Sequence, residues 1–219
     1  KETLFLFDDN YEFYDQIDYA SGKIFNTEIN LEPRLAAMYQ INEFSSIKAS
    51  YGRTVQYAQL ATNATAGIPF DMWFPTSPNI KPQKCDQFSI GYFRNFLNDE
   101  IETSVELFYK NIHNVIDFAD NATLIGNLYI DGEVRAGKGY AYGAELLLRK
   151  NFGDFSGWIS YTYSKSMRKV PGINYDREYV SPYDKPHNIS IVLNYAFNKR
   201  FDVSASWIYN TGQPVTYPC

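Results

Sequence analysis

Cysteine is almost absent from the sequence: Cys85 and Cys219 are the only two in 219 residues. Two are too few for a disulfide scaffold and their separation fits no metal-ligand spacing, although a bridge between them is left open. Histidine is as scarce, and neither His113 nor His187 stands at a meaningful spacing from a nucleophile or a second ligand. No run approaches the ~20 apolar residues of a membrane-spanning helix, which excludes helical membrane proteins. Basic charge is in deficit as well: 20 Lys and Arg against 25 Asp and Glu give a net charge of -5, which argues against nucleic acid as a partner. Glycine and proline, 13 and 10, are too few to suggest a disordered chain. What abounds is aromatic: 19 Tyr, 16 Phe and 3 Trp.

Alternation of period two runs through the chain. Across 201–209, Phe201, Val203, Ala205, Trp207 and Tyr209 share one face, and Asp202, Ser204 and Ser206 the other. Ile189, Ile191, Leu193, Tyr195 and Phe197 repeat the pattern a hairpin turn away. Three more pairs follow the same grammar: 140–149 with 157–164, 88–92 with 101–110, and 35–41 with 47–51. Their turns are Asn151-Phe-Gly-Asp154, Leu97-Asn-Asp-Glu100 and Asn42-Glu-Phe44. The pattern predicts eight strands in four hairpins, with a ninth candidate at Glu2–Phe7.

The connections between hairpins are long, at roughly 58–84, 119–136 and 167–185, while those within hairpins are short. Short turns on one side and long loops on the other are the plan of an outer-membrane barrel. Runs such as 101–118 also reach or pass the ~9–11 residues needed to cross a bilayer at a tilt. A charge facing lipid at mid-depth costs about 2–4 kcal/mol, so the uncharged face of each strand is assigned to lipid and the small, polar face to a wet lumen. Tyr51, Tyr92, Tyr109, Tyr161, Tyr163, Tyr195, Phe197 and Tyr209 lie towards strand ends on the lipid face, where amphipathic rings suit the interface. The expected fold is all-β: a transmembrane antiparallel β-meander of about eight strands. A complete small barrel of eight strands with a structural role is the main alternative, and a soluble sandwich is disfavoured. The chain starts at Lys1 without Met or a signal peptide and stops at Cys219 just after a strand-like run, so both ends read as cut.

Several blocks carry a family resemblance: NLEPRLAAMYQI at 30–41, SSIKASYGRTVQY at 45–57, NIKPQKCDQFSIGYFRNF at 79–96, VELFYKNIHNVIDF at 105–118, GKGYAYGAELLLRKNFGDFSGWISYTYS at 137–164, PYDKPHNISIVLNYAF at 182–197 and the closing SWIYNTGQPVTYP. Together they resemble the C-terminal part of the β-barrel of Bacteroidetes-type TonB-dependent outer-membrane receptors. The resemblance implies a 22-stranded barrel of which this chain forms about a third, at about 27 residues per strand. It also implies a plug domain and a TonB-contacting segment, neither of which is legible in the chain. The implied function is uptake of a scarce solute (siderophore, glycan or peptide) across the outer membrane of a Gram-negative bacterium, with no enzymatic activity, cofactor or metal. The implied partners are outer-membrane lipid, the TonB complex through the absent segments, a surface lipoprotein and a small solute. A receptor-like barrel serving as a scaffold subunit of a surface complex is the other alternative.

Pro33, Pro82 and Pro186 stand where strands begin, which suits a residue with no N–H for the ladder. Gly139 and Gly143 leave room on the lumen face for something bulky, which in the family would be the plug. The loop 58–84 holds the candidate contact residues Asn63, Asp71, Trp73, Phe74 and Asn79, an aromatic and amide set suited to gripping a ligand from outside. Trp73 is the preferred contact; the competing and favoured reading is that the set packs the loop. Asp8, Asp9, Asp15 and Asp18 lack the glycine and terminal Glu of a calcium loop and read as a solvated face. His187 reads as a structural imidazole. A hydrolase whose residues meet only in space is a minor alternative. Asn63, Asn121 and Asn188 open glycosylation triplets, which carry little weight in a bacterial outer membrane.

Overall fold

The computed structural model describes residues 2–8, 10–24, 26–63 and 70–214. In chain order the strands are β1 (Glu2–Phe7), β2 (Phe13–Tyr19), β3 (Arg34–Asn42), β4 (Ser45–Gln56), β5 (Ala58–Asn63), β6 (Phe70–Pro75), β7 (Gln83–Phe96), β8 (Ile101–Phe118), β9 (Val134–Lys150), β10 (Phe155–Lys169), β11 (Tyr179–Val180), β12 (His187–Asn198) and β13 (Phe201–Asn210). Helix is limited, among the described residues, to two 3-10 turns, Ile130–Glu133 and Asn174–Asp176.

Eight strands form one antiparallel meander in the order β3-β4-β7-β8-β9-β10-β12-β13, with β11 added beside the far end of β10. These are the eight strands expected from the alternation. The sheet is open: among the described residues its edge strands β3 and β13 do not pair with each other, so the closed eight-stranded barrel is set aside. The ninth candidate strand does form, yet outside this wall. β1 pairs with β2, which the sequence reading passed over, in a separate two-stranded sheet.

Register explains why the alternation is so regular. One row of cross-strand neighbours runs Tyr39, Ile47, Tyr92, Val105, Leu146, Tyr161, Ile189, Tyr209 through all eight strands and carries no charge. A row on the opposite face runs Met38, Lys48, Gly91, Glu106, Glu145, Thr162, Asn188, Asn210. A slip of one residue in any pair would move that strand's apolar set to the polar side. On the apolar face Ile90 and Leu107 are each 53 % exposed, the inverse of a water-soluble sheet. On β7 the charges that bound this uncharged stretch are Asp86 and Arg94, with Lys84 beyond Asp86 at the strand's start. Eight positions of ~3.4 Å at a tilt of ~35–45° separate them by about 20 Å along the membrane normal, close to the ~25 Å apolar band of outer-membrane barrels. Asp86 is held there by Arg53, with Nε–Oδ1 2.8 Å and Nη2–Oδ2 2.9 Å, and by the Tyr51 hydroxyl at 2.7 Å.

The strand starts and the tight turns also have local causes. Pro33, Pro82 and Pro186 each immediately precede a strand, and their carbonyls still accept bonds from Arg53 N, Asn114 Nδ2 and Ser164 N. Leu97, Asn98 and Asp99 all take positive φ, 53°, 52° and 69°, the hand that matches strand twist in short hairpins, and Asn95 Nδ2 bonds Asp99 Oδ1 at 2.7 Å. On the polar face, a Cβ at Gly143 would meet Phe108 Cζ at 2.7 Å and the Tyr163 carbonyl oxygen at 2.2 Å, so within this chain the space beside Gly143 is taken up by Phe108 of the adjoining strand.

β8 and β9, with 18 and 17 residues, run well past the ~9–11 residues a bilayer requires. The surplus lies on the long-loop side, so parts of the expected loops 119–136 and 167–185 are strand: β9 begins at Val134 and β10 continues to Lys169. The loop 58–84 likewise contains its own hairpin, β5–β6.

Candidate functional site: the outer loop layer

The β5–β6 hairpin pairs Gln59 with Phe74 and Leu60 with Trp73, so alternation turns Gln59, Ala61, Met72 and Phe74 inwards and Trp73 outwards. Phe74 is 3 % exposed and meets Phe118 edge-on, with centroids 5.8 Å apart. Ala61, Ile80, Ile116 and Val134 complete a buried core, with Met72, Leu124 and Ile130 packed around it. That burial removes Phe74 as a contact for a ligand arriving from outside: its ring packs the loop. Trp73 is 62 % exposed. Asn79 is structural as well, since its Nδ2 donates to the Phe5 carbonyl at 2.8 Å and to Asp131 Oδ2 at 3.3 Å. Asn63 and Asp71 sit in the backbone ladder at the far end of the hairpin, opposite Phe70 and Thr62. Of the five expected residues, Phe74 thus lies in a core, Asn79 forms a tether and Trp73 faces outward, while Asn63 and Asp71 are placed by the backbone ladder alone.

Side chains missing from the sequence reading stitch the layer together. Asp117 Oδ2 accepts the Tyr179 hydroxyl at 2.8 Å and lies 3.5 Å from Arg168 Nη1, anchoring β11 to the end of β8. Burial, then the neighbouring Asp117 charge, holds the Tyr179 phenol far above the ordinary tyrosine range. Asp184 Oδ1 accepts Ser166 N at 2.7 Å, fixing the strap after β11 against β10. On the other flank, Phe5 and Phe13 of the β1–β2 hairpin meet the Tyr129 ring at 4.8 and 5.1 Å, and Arg135 stacks over Tyr11 at 3.8 Å. Burial also raises the Asp131 carboxyl, opposed in part by its bond from Asn79.

The remaining candidates have plain placements. His187 Nδ1 lies 2.9 Å from the Tyr161 hydroxyl, and His113 Nε2 lies 3.2 Å from Asn111 Nδ2. Asp8 caps its own turn by accepting from Asn10 N and Glu12 N, and Asp18 Oδ1 accepts the Thr3 hydroxyl. Asp9, Cys219 and the second and third residues of the first glycosylation triplet lie outside the described residues; Cys85 is a free thiol on the polar face of β7.

Residues 9–218 match the family model of the TonB dependent receptor-like β-barrel. Among solved structures, the FpvAI–pyocin S2 complex aligns with a TM-score of 0.56 at 16 % identity over 80 % of this chain and 22 % of that one. FpvA of P. aeruginosa bound to heterologous pyoverdines aligns with a TM-score of 0.55 at 17 % identity, over 82 % of this chain and 25 % of that one. The chain thus spans about a quarter of the length of the solved chains it resembles. Among curated protein sequences nothing matches it. TonB-dependent receptors are outer-membrane transporters of Gram-negative bacteria. An open β-meander with an uncharged outward band, matched over nearly its whole length, belongs to the TonB-dependent receptor β-barrel family.

Proposed function

We propose that the intact protein is a TonB-dependent receptor that carries a scarce solute inward across the outer membrane, and that the described strands form part of the wall of its larger, plugged 22-stranded barrel. The observation that carries this reading is the uncharged row that crosses all eight strands on one face, opposite a row bearing Lys48, Glu106 and Glu145. Such a sheet suits lipid on one side and a wet lumen on the other. A plug domain and a TonB-contacting segment would supply the coupling to the inner membrane.

In this reading the tight turns face the periplasm and the stitched loop layer faces outwards, where solute arrives first. Trp73 is its exposed aromatic, free to stack on a ligand and donate one hydrogen bond, while Asn63 and Asp71 share the same hairpin. In the full-length receptor, Trp73→Ala should weaken solute binding or uptake about tenfold, ~1.4 kcal/mol for an aromatic contact, and leave barrel assembly intact. Uptake measured with and without TonB tests the coupling. Uptake indifferent to TonB, with stable lipoprotein partners and no bound solute, would sink the transport reading in favour of a scaffold. Unchanged binding in the variant would remove Trp73 from the site.

A further inference from the structure

Behind the β5–β6 hairpin, between it and the wall, lies a cavity of about 350 Å³, at the small end of ligand pockets. Gln56, Gln83 and Arg168 reach it from the polar face of the wall, Gln59 from the inward side of β5, and Ser181 and Tyr183 from the strap after β11. Ile112 contributes an apolar floor, and Gly139 beside it keeps that floor open.

Gln59 is 3 % exposed. Its Nε2 donates to the Lys81 carbonyl at 3.1 Å, which fixes the orientation of the carboxamide. Its Oε1 is buried and, among the described residues, has no hydrogen-bond partner. A buried acceptor in that condition costs free energy that a donor entering the cavity would recover. Arg168 offers no spare charge to such a guest, since it is paired with Asp117 and lies over the Tyr183 ring at 5.6 Å.

We propose that this cavity binds a neutral, polyhydroxylated ring, one sugar unit of a glycan, with a ligand hydroxyl donating to Gln59 Oε1. The physiological use of the site rests on the receptor reading above; the chemistry of the site does not. Gln56 and Gln59 each commit one Nε2 hydrogen, to the Ala58 and Lys81 carbonyls, so each of the three carboxamides keeps an N–H and its oxygen to match a sugar hydroxyl, itself both donor and acceptor. The lining supplies no carboxylate and only a compensated cation, so neither sign of charge is favoured. Ile112 and the Tyr183 ring suit the C–H faces of a sugar. A compact cavity, as opposed to a free strand edge, accepts a ring better than an extended peptide.

The test uses the purified full-length receptor in detergent and saturation-transfer NMR with three probes: glucose, acetate and N-acetyl-triglycine amide. Glucose should receive saturation at millimolar concentration, and the effect should fall several-fold in Gln59→Met, which keeps the length of the side chain and removes the acceptor. Gln83→Leu should lower it as well and decides the matter if Gln59→Met does not fold, as judged by gel mobility before and after boiling. No transfer to glucose, equal transfer in the variants, or stronger transfer to acetate or the peptide would each overturn the proposal. The readout needs no TonB. A failed cavity therefore leaves the uptake reading standing, and uptake indifferent to TonB leaves the cavity standing.

Discussion

The wall and the outer loop layer are built on opposite principles. In the wall, large apolar side chains such as Leu35, Tyr39, Leu107 and Trp207 are more than half exposed, and cohesion comes from the backbone ladder and the expected contact with lipid. In the loop layer the order is that of a small water-soluble domain: Ala61, Phe74, Ile80, Val115, Ile116, Phe118, Val134, Val170 and Ile173 are buried, and all belong to the long-loop ends of strands or to the loops themselves. The same chain thus turns inside out partway along β8, where the exposed Val105, Leu107 and Tyr109 give way to the buried Val115, Ile116 and Phe118. The switch is marked by a bulge between His113 and Val115, where Asn114 takes a φ of 57° and its Nδ2 bonds the Pro82 carbonyl. One extra residue re-aims the side chains beyond it, so the face that would meet lipid becomes a core.

This contrast is broken most severely at Phe74. Phe74→Ala removes a ring from a closed core and should cost roughly 3–5 kcal/mol, confined to the loop layer. Limited proteolysis of intact cells should then cut within the outer loops while the wall keeps its heat-resistant mobility on gels. Loss of barrel assembly in that variant would mean the loop core and the wall fold as one unit.

The converse substitution probes the wall. Leu107→Arg puts a charge in the middle of the outward band and should cost about 2–4 kcal/mol, visible as reduced assembly and a lower urea midpoint in vesicles. Ser104→Arg, on the polar face of the same strand, should change either quantity by well under half as much. Equal penalties would mean that both faces are dry, as between the sheets of a sandwich.

The two regions also differ in how far they can be read from sequence. The wall was legible because every strand has to repeat one rule, and a pair such as Ile189 and Trp207, two residues apart in register, obeys it without help from distant residues. The loop layer obeys no repeat. In β2 the alternate positions Phe13, Asp15, Ile17 and Tyr19 mix apolar and acidic side chains, so no face stands out, and β5–β6 hid within a segment punctuated by Pro69, Pro75, Pro78 and Pro82. Of the candidate site, Trp73 was legible as a large ring in a loop. The burial of its neighbour Phe74 was not, because Phe118, which covers it, lies 44 positions further along the chain. The same distance problem conceals Gln59 and its cavity: Gln83, Arg168 and Tyr183 come from three separate elements. Gly143 in GYAYG did signal a close approach, and within this chain the approaching group is Phe108 of the adjoining strand.

The smallest expected effect concerns how firmly the loop layer is tied to itself, through Asp131. Burial lifts this carboxyl above its ordinary value, and the bond from Asn79 Nδ2 opposes the shift without cancelling it. The folded loop therefore binds a proton more tightly than the opened loop does. For an acid of that kind the stabilising contribution is fully present below the unfolded value of about 3.9 and is lost as pH rises through the folded pKa. Hydrogen exchange at Ala122 and Gly132, whose amides bond Ala119 and Tyr129, should be slower near pH 4 than near pH 7 once intrinsic rates are corrected. Asp131→Asn has no proton to gain and should flatten this dependence, with protection at neutral pH close to that of the native chain in acid. The wall amides in the middle of β9 and β10, far from Asp131 and from the Asp184 carboxylate that holds Ser166 N, should stay indifferent to both changes; a matching response there would make the effect global and separate it from Asp131.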